Sequence, residues 1–241
     1  MLALANVGIV ACSSSTEQNG WHKQEKFAAQ CQRLANRAVW WQFLRKHQIE
    51  FDSRRFDDDI KKLDGSNKER DPPASSYALS LVNPIIVKLL STEYGGSVQS
   101  IVQVLAKYAE TFGLQRDNVI ELYIEYLLTP PPKDAAADTR LNLSGIELSV
   151  RSLLPLVQPI LRRASTLRRV VVALERDEDS SRDYDRHSLV LSLYREVLHQ
   201  VMEVHPIVQK LDPVLFEAEL EAVDRRRDAL AILSSVFEGE R

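Results

Sequence analysis

Residues 34–56, LANRAVWWQFLRKHQIEFDSRRF, set an adjacent pair of tryptophans on a helical repeat, close that helix and open another. Extended backward, apolar residues recur at Phe27, Cys31, Leu34, Ala38 and Trp41, in steps of four, three, four and three. That rhythm defines one face of an α-helix, and Trp40 and Leu44 widen it. Lys46 and His47 suit the negative end of the helix dipole, so the helix is expected to stop near His47. Ile49 and Phe51 then alternate across a short extended link. Asp52 or Ser53 is expected to cap the next helix, which carries Phe56, Ile60 and Leu63. Neighbours on a helix point about 100° apart, so Trp40 and Trp41 cannot share one narrow contact. One is expected to pack against the next hairpin, and the other to face a flanking helix or a partner.

The same punctuation continues along the chain. Residues 64–73, DGSNKERDPP, read as a loop. Ser75 or Ser76 reopens helix, and Pro84 begins or kinks a segment with Ile85, Ile86, Leu89 and Leu90. After a break at Gly95-Gly96, Ser97 caps a helix with Ile101, Leu105, Tyr108 and Phe112, and Gly113 is placed to end it. Asp117 is expected to cap VIELYIEYLL, which includes Tyr123 and Tyr126 and is apolar around most of its circumference. Such a helix needs neighbours on several sides. Residues 129–139, TPPPKDAAADT, are a Pro-rich boundary. Ser144 is expected to open a further helix that Pro155 and Pro159 kink or split, because each removes an i→i−4 bond. A short apolar piece, 167–174, precedes the charged segment 175–185, and two more helices follow over about 186–204 and 213–238. The fold class is all-α: an irregular α-solenoid or stacked helical hairpins of about eight to ten helices. The expected division is a frayed N-terminus (1–20), a hairpin segment (21–129), a Pro-rich linker (130–140) and a second helical segment (141–241).

Composition narrows the function class. Among 241 residues, 44% are hydrophobic and 27% charged, as in an ordinary globular protein. A net charge of −3 argues against a dedicated nucleic-acid binder. Cys12 and Cys31 cannot make a disulfide framework, which favours an intracellular setting. With no run of about 18 apolar residues, membrane insertion is not expected. Ile9-Val10-Ala11-Cys12 has the look of a lipobox, but residues 1–10 contain no Lys or Arg and their apolar run is broken.

Sites for chemistry are scarce. Glu196, His199 and His205 contain one E-x-x-H pair, whereas a di-iron bundle needs a second copy and two further carboxylates. Neither a metal nor a cofactor is expected, and no nucleophile has a supporting base. Asn142-Leu143-Ser144 matches a glycosylation acceptor, but Ser144 reads more simply as an N-cap. Arg162, Arg163, Arg168 and Arg169 form one basic cluster and Arg225, Arg226 and Arg227 another. Acidic neighbours flank both, so i,i+4 pairing is the expected fate of their charge. The residues singled out for packing or partner binding are Trp40, Trp41, Phe51, Phe56, Tyr123 and Tyr126.

Three features together resemble the C-terminal region of the Rod (Rough deal) family of kinetochore-associated proteins. The first is a helix ending in the aromatic pair Trp40-Trp41, followed by Ile49-Glu50-Phe51-Asp52 and Phe56. The second is a helix ending in Tyr108 and Phe112. The third is the Leu- and Tyr-rich helix with Leu122, Tyr123, Tyr126 and Leu127. The likeness covers roughly residues 25–165. It implies a non-enzymatic α-solenoid scaffold that joins Zwilch and the Zeste-white ten protein, in the cytoplasm and at mitotic kinetochores. The scaffold would serve the spindle assembly checkpoint and be linked indirectly to dynein. Rod-family proteins are far longer and carry an N-terminal β-propeller, so the resemblance implies a fragment or a shortened relative. The alternative is a vesicle-tethering or coat-like α-solenoid subunit at the endoplasmic reticulum or Golgi.

Overall fold

A computed structural model of the chain describes residues 18–55, 77–91, 97–130, 142–176, 183–204 and 213–238. Phe56, Ile60, Leu63, Ser75, Ser76, Gly95, Gly96, His205 and Asp212 lie outside the described residues, as do Cys12, the Pro-rich stretch beyond 130 and most of the charged segment. Among the described residues there are nine α-helices and no strand, so the fold is all-α. In order they are α1 (Gln18–Lys46), α2 (Tyr77–Ser80), α3 (Val82–Ser91), α4 (Val98–Thr111), α5 (Arg116–Leu128), α6 (Leu143–Leu153), α7 (Ile160–Arg176), α8 (Tyr184–Val204) and α9 (Pro213–Glu238). They fall into two compact units. Unit 1 takes its residues from 1–95 and 103–116, and unit 2 from 96–102 and 117–241.

In unit 1, α1 ends at Lys46, beside the His47 where the sequence placed its end, with Arg45 and Lys46 in its last turn. Ile49 N–H donates to Leu44 C=O (2.9 Å) and Gln48 N–H to Arg45 C=O (3.1 Å), while Gln48 turns left-handed at φ 54°. This is a Schellman closure, and the residue after the turn, Ile49, is buried with Leu44. Asp52 caps the next turn, its Oδ1 accepting from Arg54 N–H (2.9 Å). At Pro84 the helix does not start cleanly: Leu81 forms a turn between α2 and α3, and α3 runs on with Val82, Ile85, Ile86 and Leu89 buried. Each of these aliphatic chains is worth roughly 1.5–3 kcal/mol of burial. The end of α4 repeats the closure of α1. Leu114 N–H reaches Ala109 C=O (2.8 Å) across Gly113, whose φ is 63°.

In unit 2, α5 is buried through Val119, Ile120, Glu121, Tyr123, Ile124, Leu127 and Leu128. That is the enclosure its all-round apolar sequence demands. Three local expectations need correction. Asp117 is not the cap of α5 but lies in its first turn, where its carboxylate accepts from Gln158 N–H (3.3 Å) and faces Arg162 (3.7 Å). The cap of α6 is Asn142, not Ser144: Asn142 Oδ1 accepts from Gly145 N–H at 2.8 Å. A short side chain outside the first turn reaches a free N–H, whereas Ser144 is already inside the helix. The apolar piece 167–174 is part of the 17-residue α7, with Leu167, Val170, Val171 and Leu174 buried. The prolines do split the long pattern. α6 stops at Leu153, a 3₁₀ turn covers Leu154–Leu156, and the Gln158–Pro159 peptide is cis before α7 begins. The central helix of the unit is α8, which packs on α7, α9 and α6.

Gln48 and Gly113 occupy equivalent left-handed positions but only one is glycine. Gln48→Gly should therefore raise stability by about 1 kcal/mol and Gly113→Ala lower it by a similar amount, the cost of a Cβ in that conformation. Urea unfolding of the two variants, followed by far-ultraviolet dichroism, would show the opposite shifts.

Candidate functional site

The sequence singled out two aromatic groups, and the structure gives them different surroundings. In unit 1, Trp40 is core. It is 7% exposed, its Nε1 donates to Thr111 Oγ1 (3.3 Å), and its ring meets Tyr108 edge-on at 4.8 Å and Phe43 at 5.3 Å. Tyr108 continues the cluster to Phe112 (4.6 Å) and donates its hydroxyl to Ala78 C=O (2.7 Å). Trp40 thus fastens α1 to α4, and Tyr108 fastens α4 to α2. Edge-to-face pairs of this kind add about 0.5–1.5 kcal/mol beyond area burial.

Trp41 points elsewhere, as neighbours on a helix must. It is half-buried, edge-on to Phe51 at 5.7 Å, with the Arg45 guanidinium 5.2 Å above its ring. Its Nε1 is shielded from solvent and has no hydrogen-bond acceptor. Phe51 is half-buried, and Phe56 lies outside the described residues. In unit 2, Tyr123 is fully buried and its phenol is pushed up to about 12 by loss of water. Tyr126 is half-buried and shifted the same way by burial. Within unit 1 the structure brings Trp41 and Phe51 together, while Trp40 joins the Tyr108 cluster.

The sequence drew one apolar face on α1, running through Phe27, Cys31, Leu34, Ala38 and Trp41 and widened by Trp40 and Leu44, and its parts differ in burial: Trp40 and Leu44 are buried, whereas Phe27 is 53% exposed and Leu34 56%. Burial follows Trp40 and Leu44, which lie roughly 120° around the helix from that stripe. Helical period shows that a face is apolar; it cannot say which part of it finds a neighbour.

Most arginines of the two clusters face a carboxylate. Glu121, only 8% exposed, faces Arg162 Nε at 2.7 Å and Arg169 at 2.9 Å, and Arg169 also reaches Glu125 (2.7 Å). Arg163 donates to the carbonyls of Val157 (2.8 Å) and Pro155 (3.2 Å), closing the 3₁₀ turn. Arg168 faces Glu219 at 3.8 Å, Arg226 pairs with Glu175 at 3.1 Å, and Arg227 with Asp224 at 3.7 Å. The expected neutralisation occurs, but mostly between helices rather than by i,i+4 pairing within one. Tyr194 donates to Glu219 (2.9 Å), and burial followed by that bond raises its phenol.

No converging constellation for chemistry appears among these groups. Glu196 is held by Arg151 at 2.6 Å and His199 is exposed. Among the described residues no group of three or more His, Cys, Asp or Glu is placed to hold a metal ion. A cavity of about 70 Å³ between α6, α7 and α8 is lined by Arg151, Leu154, Arg163, Leu193, Glu196 and Gln200. It is well below the roughly 300–1,000 Å³ of small-molecule sites. No described helix is long and apolar enough to cross a membrane.

Two measurements test these placements. Trp40→Ala should cost about 3–5 kcal/mol, as for a buried Trp. Trp41→Phe, which loses an N–H without a partner, should cost less than about 1.5 kcal/mol. Chemical denaturation of both variants decides the order. On α8, His187 is buried with no partner for Nε2, and burial lowers its pKa; Glu175 opposes this and Arg226 adds to it. The unfolded chain therefore takes up a proton near the ordinary pKa of about 6.5 before the folded chain does. Stability is full above that pH and is lost as pH falls below it. His187→Phe should make the decline between pH 7 and 5 shallower in denaturant titrations.

Compared with known proteins, the chain matches no family model, no curated protein and no solved structure.

Proposed function

We propose that this chain is a non-enzymatic scaffold of stacked helical hairpins that holds partner proteins on exposed helix faces. In the more specific form, it acts as the C-terminal region of Rod-family proteins does, joining Zwilch and the Zeste-white ten protein in the cytoplasm and at mitotic kinetochores. In that setting it would serve the spindle assembly checkpoint and an indirect link to dynein. The observation that carries the scaffold reading is the apolar stripe on α1, where Phe27 and Leu34 are more than half exposed. The pairing of the arginine clusters with carboxylates supports the same reading, because their charge stabilises the helical packing instead of forming an open basic surface. The Rod-like form rests on the aromatic pattern of Trp40-Trp41, Phe51, Tyr108, Phe112, Tyr123 and Tyr126. Those arginine pairs weaken the support that the basic clusters lend to a vesicle-tethering scaffold.

Co-precipitation of the purified chain with Zwilch and with the Zeste-white ten protein at low salt is the test. Retention of either partner is the expected outcome, and retention of neither removes the Rod-like form.

A further inference from the structure

The first arginine cluster surrounds an exposed hydroxyl. Residues 161–165, LRRAS, set Arg162 and Arg163 three and two positions before Ser165. No other serine or threonine of the chain has arginine at both of those positions. Ser165 lies in the second turn of α7 and is exposed. Its neighbour Thr166 is fully buried and donates its hydroxyl to Arg162 C=O (2.8 Å), so of the two hydroxyls Ser165 is the one open to solvent. Helical register puts Ser165 about 40° from Arg169 and about 60° from Arg162 and Arg168, all within one turn.

We infer that Ser165 is a phosphorylation site for an arginine-directed protein kinase, gated by the ion pairs between α5 and α7. Such kinases recognise a serine through guanidiniums two and three residues before it, which dock on carboxylates of the kinase cleft. In the folded chain both guanidiniums already have acceptors. Arg162 Nε faces Glu121 at 2.7 Å, and Arg163 donates to the carbonyls of Val157 (2.8 Å) and Pro155 (3.2 Å). The kinase therefore reads the motif only in molecules whose first turns of α7 have opened. In the transfer, Ser165 Oγ attacks the γ-phosphorus of ATP. The Oγ–P bond forms as the bond to the β–γ bridging oxygen breaks, ADP leaves, and the hydroxyl proton passes to the kinase's catalytic aspartate. The new phosphate carries about −1.5 to −2 charge at neutral pH. One turn from Arg168 and Arg169, it competes with Glu219, Glu125 and Glu121 for their guanidiniums. Modification thus weakens the same tie of α7 to α5 that delays it. The site is independent of which partners the scaffold holds.

The full chain is to be incubated with ATP and the catalytic subunit of cAMP-dependent protein kinase, an arginine-directed enzyme, and the phosphate located by mass spectrometry. Phosphate is expected on Ser165, and incorporation should fall to background in Ser165→Ala. Ala is a good helix former and the position is exposed, so that variant keeps its fold. Glu121→Gln takes the shared carboxylate from Arg162 and Arg169 and should raise the rate at least about fivefold by populating the opened form. Should that variant lose its helical dichroism, Glu125→Gln replaces it, with a rise of about twofold expected from a partly exposed pair. Ser165 left unphosphorylated after prolonged incubation overturns the site, as does incorporation that Ser165→Ala leaves unchanged. An unchanged rate in the charge-removed variant overturns the gate. In the phosphorylated chain, hydrogen exchange across α5 should be faster, and exchange equal to that of the unmodified chain overturns the competition for Arg169.

Discussion

Unit 2 depends on a carboxylate that has been taken out of water. Glu121 sits on the buried side of α5, faced by Arg162 and Arg169 from α7. A lone buried charge costs several kcal/mol, so this one is tolerable only while both guanidiniums stay in place. The requirement fixes how α5 lies against α7. Ile120 and Ile124 on α5 and Leu167 and Val170 on α7 are buried as well. An ion pair of this kind adds little net stability over an apolar contact of the same shape, but it penalises a slipped arrangement heavily. Arg186 acts in the same manner from α8. Its guanidinium donates to the carbonyls of Leu127 (3.0 Å) and Thr129 (3.2 Å) while Asp183 holds it at 3.0 Å.

Unit 1 is organised by aromatic packing instead. Trp40 and Tyr108 hold three helices together through ring edges and two hydrogen bonds. Trp41, one residue on, is left with a half-covered ring and an N–H that nothing accepts. The Trp pair therefore divides its work between two directions, a consequence of helical geometry alone.

Much of the fold was legible in the sequence because its signals are local. Gly113 after Phe112, Asp52 before a helical turn, and Pro155 with Pro159 inside a helical pattern each act within a few residues. Each did what its chemistry requires. The errors came where the outcome depends on distant chain. Arg169 and Glu121 are 48 residues apart, so only i,i+4 partners could be seen for the arginines. The uneven burial of α1's apolar face has the same origin, since the partners of Trp40, Thr111 and Tyr108, come from α4 and not from α1's own repeat. Ser144 was read as the cap of α6, whereas Asn142, another good capping residue two positions earlier, makes the bond. The choice turns on where the first helical turn begins. The candidate surface on α1 was visible as a stripe, but its exposure was not.

The contact of Arg186 with the carbonyl end of α5 reaches beyond packing. Helices usually shed their last turn first, because those carbonyls have only water for company. Here the final carbonyls of α5 are held by a side chain that is itself nearly buried in α8. Fraying of α5 then requires part of α8 to let go as well. In the language of hydrogen exchange, the last turn of α5 and the first turn of α8, where Arg186 sits, should open together.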